Sequence, residues 1–212
     1  MKNLCIIGPG AIGLYLAAKL SKVASITLVA KSEQLDLYHG KSIEISGAES
    51  LSVSIDSLNL IDNSSLIELP ADTSYLICVK AYDLDSVLSD IEPYLKPESR
   101  VLLLSNGMNI FLQAQETLRN SCPAIRLLPN FGVMKSSPLE VRLAGNLVFS
   151  IASREEDKAI EQEWISLLKK VKAKVKSHKN IAEAEWYKSI FNLVINTICS
   201  VVDCENGFVE EY

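Results

Sequence analysis

Two groups of residues carry types and spacings that could do chemistry. The first is Gly8-Pro9-Gly10-Ala11-Ile12-Gly13, a G-x-G-x-x-G. This spacing suits a phosphate held against the main chain. Gly8 permits a tight turn, Gly10 lets the backbone approach a pyrophosphate, and Gly13 lets a helix pack closely on the preceding strand. Pro9 removes one backbone donor but stiffens the turn through its fixed φ. A helix opening at Ala11 adds unpaired N–H groups and a partial positive charge. Gly8, Pro9, Gly10, Ala11, Ile12 and Gly13 are therefore read as the phosphate cradle of a dinucleotide. The next apolar run ends in Val29-Ala30-Lys31-Ser32. An acid here would accept the adenosine ribose 2′-hydroxyl and repel a 2′-phosphate. A cation and a hydroxyl stand in its place, so Lys31 points to NADP(H), with Glu33 close by acting against it.

The second group is Lys188, Asn192 and Asn196, which form one polar line at i, i+4 and i+8 if residues 181–202 are helical. Asparagine is a poor interior helix residue because its side chain competes for backbone hydrogen bonds. Two in line with a lysine suit a site in which a ketone accepts hydride. An ammonium beside the nascent alkoxide stabilises its charge and donates the proton. Neutral amides can hold hydroxyl or carboxylate oxygens without competing for that proton. On pattern alone, a solvated helix face explains the same line equally well.

The elements that would position these groups are legible in the apolar runs. Leu4–Ile7 and Ile26–Val29 read as buried strands flanking a helix over 11–20, a βαβ unit of about thirty residues. Residues 75–79 and 101–104 continue the strand pattern, with a helix over 84–91 between them and a stop at Pro93. Alternation of this kind predicts an α/β fold with a Rossmann-type doubly wound sheet. Residues 43–45 and 51–55 alternate around Gly47 and predict a small antiparallel hairpin with one wet face. A second β-like stretch covers 141–151, a charged amphipathic helix 155–170, and a long helix 181–202 with Asn180 as its N-cap. Trp186, Ile190, Leu193, Thr197, Ile198 and Val201 give that helix an apolar face. A boundary near Ser177 divides a dinucleotide-binding domain, 1–176, from the start of an all-α domain, 177–212.

Composition narrows the function classes. The net charge of −5 comes from interspersed acids, and no basic stripe offers itself to nucleic acid. The apolar run 4–20 is broken by Gly8, Pro9, Gly10 and Gly13, so it reads as neither signal peptide nor membrane span. Five cysteines without a C-x-x-C pair suit reduced, packed thiols and a cytoplasmic setting. His39 and His178 have no partner at metal-ligand or triad spacing, and read as surface or packing residues.

Taken in order, Gly8–Gly13, Leu28–Lys31, Val79-Lys80-Ala81-Tyr82-Asp83, Ser105-Asn106-Gly107-Met108, Trp186-Tyr187-Lys188, Asn192, Asn196 and Asn206-Gly207 resemble the ketopantoate reductase family. The resemblance implies a Rossmann domain followed by a helical domain, with NADPH and a small α-keto acid meeting between them. It implies reduction of 2-dehydropantoate to pantoate, a step of pantothenate and coenzyme A biosynthesis. Lys188 falls on the family's general acid, while Asn192, Asn196 and Asn206 fall on its substrate-binding asparagines. Lys80 and Asn106 fall on positions touching cofactor or substrate. Without the family, Lys80 reads as a strand-end lysine and Asn106-Gly107 as a turn.

The sequence departs from the family in three places. Asp83 stands where glutamine is common. Asn130-Phe131-Gly132-Val133 replaces a Thr/His/Ala-rich cofactor wall. The residues end at Tyr212, before the helices that supply a serine and a glutamate to the site. Either these residues are a piece of a longer protein, or the site of a short form is completed by another chain or lost. The alternatives are a reductase of another small keto acid and a non-catalytic NADP-binding module. The apolar face of the last helix, without those later helices, predicts either a homodimer or an aggregation-prone monomer.

Overall fold

The computed structural model describes residues 2–118 and 121–203. The strands are β1 (Asn3–Ile7), β2 (Ser25–Val29), β3 (Ser42–Gly47), β4 (Leu51–Ser54), β5 (Asn59–Ile61), β6 (Ser74–Ile77), β7 (Arg100–Leu103), β8 (Ala124–Pro129), β9 (Gly132–Ser137), β10 (Glu140–Ala144), β11 (Val148–Ala152) and β12 (Lys174–Ser177). The α-helices are α1 (Ala11–Leu20), α2 (Ser32–Tyr38), α3 (Leu84–Ile91), α4 (Ile110–Leu118), α5 (Lys158–Lys170) and α6 (Ile181–Val202).

The main sheet runs β12-β11-β8-β7-β6-β1-β2-β5. From β5 to β8 every pairing is parallel, whereas β11 runs antiparallel to β8. Alternate residues of one strand feed opposite faces, as a period of two requires. Leu4 and Ile6 join Leu14, Leu16 and Trp164 on one side, while Cys5 and Ile7 join Leu88 and Phe111 on the other. Both faces are covered, which explains why these strands are continuous apolar runs. The chain order reverses between β1 and β6, and a doubly wound sheet opens a ligand crevice at the carboxyl ends of the strands at that point.

The expected hairpin forms from β3 and β4, and it belongs to a second sheet, β4-β3-β10-β9. Residues 141–151 do not make one β-stretch. Gly145 at positive φ breaks them, leaving β10 in the small sheet and β11 in the main one. The small sheet packs over α1, where Glu49 accepts from the Tyr15 hydroxyl at 2.5 Å and pairs with Lys19. Strand 75–79 is shorter than its apolar composition predicts. β6 ends at Ile77, where the chain turns beneath the glycine loop.

Asn180 caps α6, its side chain accepting from the Glu183 N–H at 2.6 Å. The apolar face of α6 is largely open. Leu193 is 69% and Val201 79% exposed, and Trp186, Ile190 and Ile198 are exposed with them. Ala184 and Glu185 face the sheet instead. No described helix is long and apolar enough to cross a membrane.

Candidate active site at the carboxyl edge of the sheet

The glycine loop is built by steric exclusion. Gly8 follows β1 at φ +101°, where a Cβ would lie 2.9 Å from a Val79 methyl and 3.0 Å from the Cys78 carbonyl oxygen. A Cβ on Gly13 would lie 2.0 Å from the Gly8 carbonyl oxygen, so no other residue lets α1 sit this close to β1. Gly10 is exposed and meets only one backbone oxygen, at 3.9 Å, leaving open space beside the helix N-terminus. Ala11 and Ile12 form the first turn of α1. Lys135 of β9 was not foreseen here: its ammonium donates to the Pro9 carbonyl at 2.9 Å, and burial lowers its pKa.

Beside the loop lies a cavity of about 600 Å³, lined by Gly8, Pro9 and Gly10 and by the ends of β2, β5 and β6. Lys31, exposed, sits on its rim, and Lys80 follows β6 at the opposite side. Glu33, Asp62, Asp83 and Asp90 line it as well. Ser32 donates its hydroxyl to Asp62 Oδ2 at 2.8 Å. Ser64 donates to Oδ1 through its N–H at 3.0 Å and its hydroxyl at 2.6 Å. These hydroxyls hold the Asp62 carboxyl below its ordinary range.

The second group gathers around an ion pair that the sequence reading passed over. Arg126 in the middle of β8 is fully buried, and its Nε donates to Glu185 of α6 at 2.7 Å. Its remaining donors reach the Leu103 carbonyl at 2.7 Å, Ser105 at 2.6 Å and Gly107 at 3.4 Å. The other Glu185 oxygen accepts from the Asn109 N–H at 2.8 Å. One network therefore frames Asn106, itself exposed, and anchors α6 to the strand ends. The Ser105 hydroxyl donates to the Val79 carbonyl at 2.7 Å, tying the loop of Asn106 to that of Lys80. An arginine inside an otherwise apolar strand was the available signal, since buried charges are kept only when paired.

Lys188 lies three residues beyond Glu185 and donates to the Pro129 carbonyl at the end of β8. Burial lowers its pKa, and the nearby Arg126 lowers it further. Asn192, half-buried, follows one turn later. Asn196 lies on α6 in turn, its side chain outside what is described, and Asn206 lies outside the described residues. At the position of the unusual cofactor wall, Asn130 donates to the Ser150 hydroxyl at 2.9 Å. Phe131 packs between Tyr15 and Phe149. His178 is a packing residue, buried and 3.1 Å from the Ser150 hydroxyl, whereas His39 is exposed.

A doubly wound parallel sheet with a glycine-rich turn after β1 defines an α/β protein of Rossmann type. Residues 4–156 match the family described as Ketopantoate reductase PanE/ApbA, and the chain belongs to that family. It is similar to a 2-dehydropantoate 2-reductase of Yersinia pestis, 30% identical over 144 residues, covering 65% of this chain and 44% of that one. A second relative, the 2-dehydropantoate 2-reductase of Vibrio cholerae, is 22% identical over 97% of this chain and 65% of its own length. The crystal structure of 2-dehydropantoate 2-reductase from Geobacter metallireducens shares the fold, with a TM-score of 0.82 at 16% identity over 95% of this chain and 66% of that one. The chain thus spans no more than about two thirds of these relatives.

Proposed function

We propose that the chain belongs to an NADPH-dependent reductase that converts 2-dehydropantoate to pantoate. In this reading residues 1–176 hold the cofactor and α6 opens the substrate domain from residue 177. The observation that carries it is the placement of Lys188. Its ammonium is fixed at the carboxyl edge of the sheet, on the same rim as the glycine cradle and the Lys80 and Asn106 loops.

The cradle fits a pyrophosphate, because its turn is closed to any Cβ at Gly8 and Gly13 yet open at Gly10. The bound cofactor supplies hydride to the keto carbon. Lys188 holds a proton at Nζ for the oxygen that gains negative charge there, and its lowered pKa brings that proton closer to the range useful for general-acid work. Asn192, Asn196 and Asn206 orient substrate oxygens, with Asn106 and Lys80 at the interface with the cofactor. Lys31 pairs with a 2′-phosphate. The open face of α6 supports pairing with a second copy, and five cysteines without a C-x-x-C pair suit the cytoplasm.

A second reading is reduction of another small keto acid: Asp83 on the cavity rim, where the family often has glutamine, adds a negative charge that changes which substituents a substrate can carry there. The test is NADPH oxidation followed by absorbance against a panel of keto acids. Fastest turnover of 2-dehydropantoate is expected. Faster turnover of another acid selects the second reading, and no oxidation with any acid overturns both.

A further inference from the structure

The rim that would receive the adenosine ribose has one feature that Lys31 does not account for. β5 pairs parallel to β2 with Ile61 opposite Val29, so Asp62 emerges beside the end of β2. The acid absent from β2 itself is thereby delivered from the neighbouring strand. Ser32, whose type counted as a donor for a phosphate, donates its hydroxyl hydrogen bond to Asp62. It therefore presents lone pairs to the cavity. Ionised Asp62 offers about four lone-pair positions, and the Ser32 bond on Oδ2 and the two Ser64 bonds on Oδ1 do not fill them. Around this corner two lysines face four carboxylates. A 2′-hydroxyl, which donates a hydrogen bond, matches such a surface, and a dianionic phosphate is repelled by all of it except the lysines.

We infer that Asp62, with Ser32 bound to it, is an acceptor for the unphosphorylated adenosine ribose, so that the protein takes NADH as well as NADPH. Lys31 and Asp62 then act on one position in opposite senses. This inference rests on the reading of the cleft as a dinucleotide site.

The test is fluorescence titration of the unmodified protein, Asp62→Asn and Lys31→Met with each reduced cofactor. The unmodified protein should bind both. Asp62→Asn should weaken NADH binding about tenfold while tightening NADPH, since a hydrogen bond to a charged acceptor is lost and a repulsion removed. Lys31→Met should weaken NADPH and leave NADH within twofold. A purely structural role for Asp62, as cap of the turn at Ser64, would weaken both cofactors by one factor, and that result overturns the inference. So does an NADH affinity unchanged in Asp62→Asn. Binding of neither cofactor by the unmodified protein would remove the dinucleotide reading itself, whereas the two preceding failures leave it standing.

Discussion

The glycine cradle and helix α6 lie on the same edge of the sheet, and they are held there by opposite means. The cradle is chiefly backbone against backbone: β1 is flanked by β2 and β6, and a Cβ on Gly13 would meet the Gly8 carbonyl oxygen at 2.0 Å. Helix α6 rests on a few inward positions, among them Ala184 and Glu185, and leaves Leu193 and Val201 mostly in solvent. The buried Arg126–Glu185 pair and the Lys188 bond to the Pro129 carbonyl tie it to the strand ends. In the proposed function, a site divided this way has a closely packed half that binds and a lightly anchored half that carries the proton donor, and each can be perturbed separately.

The largest expected effect lies on the α6 side. Lys188→Ala should lower kcat about a hundredfold to ten-thousandfold while leaving the NADPH Kd near its original value. Steady-state kinetics beside a cofactor titration decides this; a near-normal kcat would take Lys188 out of the chemistry. With Lys188 as the proposed proton donor the acid form is the active one, so kcat should fall as pH rises through a pKa below the ordinary lysine range. Lys188→Ala should lack that limb.

Next is the anchor. Glu185→Ala leaves the Arg126 guanidinium buried without its counter-charge, and should cost about 3–5 kcal/mol of stability. Thermal or urea unfolding measures it. A cofactor affinity that fell together with the midpoint would show that the two halves cannot be perturbed separately, and the division between them would be drawn in the wrong place. Replacing both partners by apolar residues, Arg126→Met with Glu185→Leu, should be less damaging than either single change.

On the cradle side the effects are smaller and confined to binding. Lys31→Asp should reduce the preference for NADPH over NADH by about tenfold to a hundredfold, through loss of a charge-assisted contact. Comparison of the two dissociation constants reads it out, and kcat at saturating cofactor should stay within about twofold. The smallest change concerns association. Leu193→Glu places a charge on the open face of α6 and should shift light scattering toward the monomer, leaving cofactor affinity unchanged. A dimer that survives Leu193→Glu would put the contact elsewhere.

Much of this architecture was legible before any coordinates. Residues 11–20, 84–91 and 181–202 are helical to the residue, and Asn180 caps the last of them. The reason is that caps, glycine turns and apolar periods act over a few residues of chain. Glycine spacing also located the cradle, because a βαβ turn is local. What the chain could not disclose by itself are the pairings that topology makes. Arg126 meets Glu185, Ser32 donates a hydrogen bond to Asp62, and Lys135 reaches Pro9 only after the sheets are assembled. The stretch 141–151 divides between two sheets because β10 finds β3 and β11 finds β8, partners far away in sequence. Local chemistry thus fixed which residues could act, while long-range packing decided which of them face one another, since charge and hydrogen-bond partners are set by distance in space.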